Sequence, residues 1–221
     1  MSGIVEGLTL LAVPAVLGAC AVLDLQQTAL LSALVVVAAL VVFMAGYDRS
    51  APGLRDIVPA TVLAAVAVAG RVLLAAVPSA KPVSAICIIA GIVFGRRNGF
   101  MVGALAALVS NFFMSQGAWT PWQMYAWGLV GWLAGVLEEH GLFEQRWAVL
   151  AYGFASGLLY GAILNLWSLI GFFRPQSLAQ ALTILAPAIP LDLVHGAATV
   201  GFLLALYVPW RTKLERVRER L

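Results

Sequence analysis

The sequence predicts an all-α polytopic membrane protein, and three observations carry that prediction. Hydrophobic residues make up 62% of the chain and charged residues 10%, whereas a soluble domain is about a quarter charged. The apolar residues fall into runs near the roughly 20 residues that a helix needs to cross the hydrocarbon core. The basic residues collect in alternate loops, the pattern that orients membrane helices. Disorder and a coiled coil are excluded by the same composition. Cys20 and Cys87 both sit in apolar runs, so neither a disulfide scaffold nor a zinc cluster is available. The net charge of +3 is not a nucleic-acid signal. Five of the thirteen basic residues (Arg211, Lys213, Arg216, Arg218, Arg220) crowd the end of the chain and read as a cytoplasmic anchor.

The apolar runs lie at 4–23, 28–46, 57–77, 83–95, 99–114, 121–137, 147–172 and 188–208, giving about eight transmembrane helices. The first lacks a basic start and carries Glu6, so it does not read as a convincing signal peptide. The fourth and fifth are short, but Arg96 and Arg97 between them cannot sit at mid-membrane, so they are separate spans. Asp56 and Pro59 suit the start of the third. The chain thus divides into an amino-terminal hairpin (1–46), a linker (47–56), a six-helix core (57–209) and a basic tail (210–221) that extends the last helix. An even number of spans puts Arg49, Arg55, Arg96, Arg97, Arg146 and the tail on one side, with Lys81 and Arg174 opposite. Both termini are then cytoplasmic.

Polar side chains inside a membrane are expensive and mark function by default. Here they concentrate in the outer half of the core: Arg71, Asn111, Gln116, Trp119, Trp122, Gln123, Asn165, Asp192 and His195. That asymmetry predicts an outward-facing pocket and not a channel. Trp119, Trp122, Gln123 and Trp127 share one helical face, which suits a wall for a planar heteroaromatic ligand, or an interfacial aromatic belt. Trp127, about 12 Å deeper than Trp119, is too deep for the belt. Gly153, Gly157 and Gly161 recur every four residues and lead to Asn165, a groove for a neighbouring helix that ends in an amide. That amide meets either ligand or another helix. Arg71 and Lys81 are available for an anionic group, while Arg71 with Asp192 is an equally natural structural pair. Ala60, Ala64 and Ala67 form one smooth stripe on the third helix, and Ala65 with Ala69 form another.

Enzyme motifs are poorly matched. Gly153-Phe-Ala-Ser156-Gly157 has one residue too many for an intramembrane serine protease, and Phe143 stands where a Glu-Glu-x-x-x-Arg metalloprotease needs arginine. No phosphate-binding glycine loop is present, so ATP hydrolysis is not expected of this chain. Neither a metal nor a cofactor is expected.

Residues 55–135 resemble the substrate-binding S components of energy-coupling factor (ECF) transporters, which import vitamins. Ala-Gly-Arg at 69–71, Pro-Ser-Ala-Lys-Pro-Val at 78–83, Ile-Ala-Gly-Ile-Val-Phe-Gly at 89–95, Ser-Asn-Phe-Phe at 110–113 and Gln-Gly-Ala-Trp-Thr-Pro-Trp-Gln-Met at 116–124 carry the likeness. The resemblance implies a six-helix S-component core, a transmembrane T component and two ABC-type ATPases as partners, and the plasma membrane of a prokaryote. It further implies ligand held near the outer face by helices four to six, and Ala60 and Ala64 as an Ala-x-x-x-Ala contact with the T component. The hairpin and Ala118, where proline is expected, depart from the pattern. The 116–123 motif looks closest to S components linked with cobalamin or its precursors; pantothenate, a flavin, a folate or a deazapurine stay open. Two other readings compete: an intramembrane enzyme acting on a lipid or isoprenoid through Asp192 and His195, and a ligand-free assembly protein.

Overall fold

The computed structural model describes residues 3–22, 34, 36–41, 43–44, 47 and 53–220, and all regular structure among them is helical. Helix α1 spans Gly3–Val22. Of the second predicted run, residues 34, 36–41, 43 and 44 are helical. The rest of that run and most of the 47–56 linker lie outside the described residues.

Helix α2 (Leu54–Leu73) starts earlier than expected, with the Gly53 carbonyl accepting from Ile57 N at 3.1 Å, so Asp56 lies inside the first turn instead of capping it. It also stops four residues before Val77. Pro78 disfavours helical backbone at the residue before it. Lys81 Nζ donates to the carbonyls of Leu74, Ala75 and Val77 in the turn that follows, the usual service of a cation at a helix carboxyl end.

Helix α3 (Val83–Phe94) is buried at every residue from Val83 to Val93, as a helix apolar on all sides should be. Gly95 adopts φ +86°, a conformation that suits glycine, and α4 (Arg96–Met114) begins at the next residue. The two short runs are therefore separate helices joined by a one-residue turn. After α5 (Thr120–Glu139) and α6 (Arg146–Ser168), a π turn at Leu169–Phe173 continues directly from α6. An unforeseen short helix, α7 (Leu178–Leu185), follows; Ser177 Oγ caps it by accepting from Gln180 N at 3.2 Å. Helix α8 (Ile189–Arg220) runs unbroken past Pro209, so the tail is its last turns and no structural break separates it from the core.

The core is built around α3, which packs against α2, α4, α5, α6 and α8. The charges at one end tie the hairpin on. Glu6, 1% exposed, accepts from Arg96 Nε at 3.1 Å and Arg97 Nε at 2.6 Å, and Arg96 reaches on to Glu139 at 2.7 Å. Farther along, Tyr125 donates to the Leu10 carbonyl at 2.7 Å and Phe43 stacks on Phe100 at 3.9 Å. Helix α1 is thus seated on α4 and α5 by a buried carboxylate that its bland sequence did not advertise. At the same end Arg211 binds Glu138 at 3.1 Å and Glu215 at 2.8 Å.

Two findings bear on the membrane spans and the partner face. Among the described residues, Arg146–Phe173 and Leu178–Arg220 are long and apolar enough to cross a membrane, while Glu6–Val16, Ile57–Leu73 and Val83–Phe94 are apolar but shorter. Two such spans do not establish eight. Helix α3, with 12 residues, is about 18 Å long against a core of about 30 Å. On α2, Ala60 and Ala64 turn inward at 4% and 5% exposure. The outward stripe is Thr61, Ala65 and Ala69, one turn apart and exposed.

Candidate functional site

The glycine stripe of α6 does what its spacing predicts. A Cβ on Gly157 would lie 2.4 Å from Gly196 N, and one on Gly153 would lie 2.4 Å from Leu203 Cδ1, so α8 is seated directly on the α6 backbone. One turn higher the Asp192 carboxylate fills the space over Gly161, where a Cβ would meet Oδ1 at 2.1 Å. A further turn on, Asn165 Nδ2 donates to Asp192 Oδ2 at 2.8 Å. The amide is therefore an interhelical hydrogen bond, and it also faces open space. Asn165 and Asp192 line a cleft of about 400 Å³, whose other walls are Ala162 and Leu166 of α6, Leu182 and Leu185 of α7, and Ile189. Residues from three helices thus make a concave, largely apolar site with two polar side chains, the usual composition of a small-molecule pocket.

Arg71 organises a second polar region. Its Nη1 donates to Asn111 Oδ1 at 2.8 Å and to Ser110 Oγ, and its Nη2 donates to Gln123 Oε1 at 3.3 Å. Asn111 Nδ2 donates to Gln123 Oε1 at 2.8 Å and to Thr120 Oγ1 at 2.9 Å, and the Thr120 hydroxyl donates to Gln116 Oε1 at 2.8 Å. The guanidinium lies 4.7 Å above the Trp127 ring. Four of the predicted residues, Arg71, Asn111, Gln116 and Gln123, are therefore one network joining the carboxyl ends of α2 and α4 to the amino end of α5. Arg71 is only 6% exposed, and among the described residues no carboxylate pairs with it. The expected Arg71–Asp192 pair does not form. Lys81, held by backbone carbonyls, is lowered from its ordinary amine value by desolvation and then by the like charge of Arg71.

The model of the family described as "ECF-type riboflavin transporter, S component" matches residues 53–208. That is most of the chain, and it spans every helix that lines the cleft or the Arg71 network. The chain belongs to the ECF transporter S-component family. No curated protein and no solved structure matches it. S components are membrane proteins and transport subunits, so the helical bundle is a membrane-embedded transport subunit and not an enzyme. The matched stretch leaves out the hairpin.

The tryptophans of this S component do not share one wall. Trp119 is 39% exposed and its ring covers Gly117. Trp122 is fully buried, stacks on Trp167 at 5.9 Å, and lines a separate apolar cavity of about 120 Å³ with Val13 and Pro14 of the hairpin. Trp127 is core, as its depth predicts, and donates to Ser84 Oγ at 3.1 Å. That hydroxyl lies 2.9 Å from His195 Nε2, so His195 faces α3 while Asp192 faces the cleft. Their sequence proximity therefore does not produce the acid–base pair that the enzyme reading requires. Sequence reasoning missed Ser110 and Thr120, the hydroxyls that complete the Arg71 network, and the leucines of α7. The first two carried a signal: both are polar residues in the outer half, within reach of a helix bearing an arginine.

Proposed function

We propose that this S component captures a vitamin-like solute in the cleft between α6, α7 and α8, and delivers it to a T component driven by two ABC-type ATPases. The cleft carries the reading. It is apolar, has two convergent polar groups, and lies at the end of the bundle opposite the Glu6, Glu138 and Arg211 ion pairs. Its position on the last two core helices agrees with ligand held by helices four to six. With the basic residues of the loops and tail facing the cytoplasm, both termini are cytoplasmic, the cleft opens outward, and the bundle crosses the membrane about eight times with its shorter helices packed inside.

The family description names riboflavin, and the 116–123 motif resembles proteins linked with cobalamin. A cleft of about 400 Å³ sits near the lower end of the range for small-molecule sites. That size favours one heteroaromatic vitamin, of the kind a flavin represents, over a corrinoid. The T-component face is the Thr61, Ala65 and Ala69 stripe, because small outward residues at four-residue spacing permit close helix approach. Titration calorimetry tests capture: riboflavin or cyanocobalamin should bind the folded wild type, and Asn165→Leu should weaken that binding. Equal affinity in the two folded proteins would remove the cleft from the account.

A further inference from the structure

The charge in the cleft limits what the cleft can hold. Asp192 supplies it, and among the described residues no cation pairs with that carboxylate. The Asn165 amide must point its nitrogen at Asp192, since a carboxylate only accepts. Its carbonyl oxygen is left turned to other partners. An ionised carboxylate has about four lone-pair sites, and Asn165 fills one of them. Among the described residues no other hydrogen bond reaches either side chain, and both line the open cleft, where water has access to them. The remaining walls, Leu166, Leu182, Leu185 and Ile189, cannot hydrogen-bond through their side chains.

A solute that fills this space expels that water and must replace its donors, because an uncompensated buried charge is strongly unfavourable. An anionic group would instead meet the carboxylate in a low-dielectric setting, where repulsion is stronger than in water. The cations near that end of the bundle offer no relief, and Arg174 is not among the residues that line the cleft. Arg71 is spent on Ser110, Asn111 and Gln123, and Lys81 on the carbonyl end of α2.

We infer that the cleft recognises its solute through N–H groups donated to Asp192 and Asn165, and that it selects neutral or cationic nitrogen-bearing molecules against anions. This rests on the capture reading above and deepens it. The sequence alone pointed the other way, toward an anion at Arg71 or Lys81. The difference arises because both cations are already occupied, while the carboxylate faces the open space.

The test is titration calorimetry with five probes on wild type and Asp192→Asn. Riboflavin, thiamine and cyanocobalamin present N–H donors; flavin mononucleotide and pantothenate are anions. Asparagine keeps the shape and still accepts from Asn165, so the fold should persist, as thermal unfolding will show. One donor probe should bind wild type, and Asp192→Asn should weaken it by roughly 10- to 150-fold, the range for a hydrogen bond to a charged group. Gly161→Ala, which displaces the carboxylate without altering charge, should weaken the same probe. Preferential binding of an anion, or affinity unchanged or increased in Asp192→Asn, overturns the inference while leaving capture intact. If no probe binds, the variants are compared for the solute that co-purifies with wild type. Its loss from folded Asp192→Asn supports the inference, and its full retention there overturns it. Absence of any bound or co-purified solute in wild type overturns capture and this inference together.

Discussion

Replacing Gly157 by alanine probes the seam on which the cleft depends. The new methyl would lie 2.4 Å from Gly196 N, 2.5 Å from Gly196 Cα and 2.9 Å from His195 C. All three are backbone atoms, so no side chain can rotate away, and α8 must move outward by about 1 Å to reach ordinary contact. Overpacking of this kind costs typically about 1–3 kcal/mol, partly offset by the roughly 1 kcal/mol better helix propensity of alanine. For a chain of this size each kcal/mol shifts the unfolding midpoint by about 2–4 °C. The variant should therefore melt several degrees below wild type. It should also bind solute less well, because the shift separates Asp192 from Asn165, now 2.8 Å apart. Gly201→Ala is the control: it sits on α8 with nothing within 4 Å of the added carbon, and it should be neutral or slightly stabilising. Thermal unfolding in detergent and calorimetry on the three proteins give the comparison. A Gly157→Ala protein as stable as Gly201→Ala would refute the close seam and the geometry built on it.

Two further perturbations address the hairpin and the partner face. Glu6→Gln should leave Arg96 and Arg97 without their shared carboxylate; because both arginines are partly exposed (26% and 31%), the loss should be about 1–2 kcal/mol, read as faster proteolysis of residues 1–46 with solute affinity retained. Ala65→Trp should abolish ATP-driven uptake in the complete transporter while solute binding persists, whereas Ala60→Trp, aimed into the core, should lower thermal stability; uptake preserved in Ala65→Trp would place the T component on another face.

Much of this was legible in the sequence because membrane burial makes polar residues conspicuous. Depth alone collected Arg71, Asn111, Gln116 and Gln123 in one region, and the four-residue spacing of Gly153, Gly157 and Gly161 announced a helix seam ending at Asn165. What the sequence could not supply was rotation and partner choice. Two alanine stripes lie on α2, and nothing in their spacing says that Ala60 and Ala64 face inward while Ala65 and Ala69 face out. Trp122 and Gln123 are neighbours about 100° apart on a helix, and that angle sends one to the hairpin and the other to Arg71. Lys81 looked like a loop charge because its partners are backbone carbonyls just past α2, which no side-chain pattern reports. Glu6 counted only against a signal peptide because its partners lie about ninety residues away, a separation that no local pattern reports. Helix α7 was invisible because its apolar residues pack on no core; they wall a cleft.

The most direct test of solute capture in the α6–α8 cleft is native mass spectrometry of protein released gently from its membrane, wild type beside Leu182→Trp. Leu182 is 59% exposed on the cleft wall, so an indole there fills the space without entering the core. Wild type should release one small nitrogen-bearing molecule per chain, and Leu182→Trp should release none while remaining folded. The same molecule bound equally to both proteins, or no molecule on wild type, would contradict capture at this cleft.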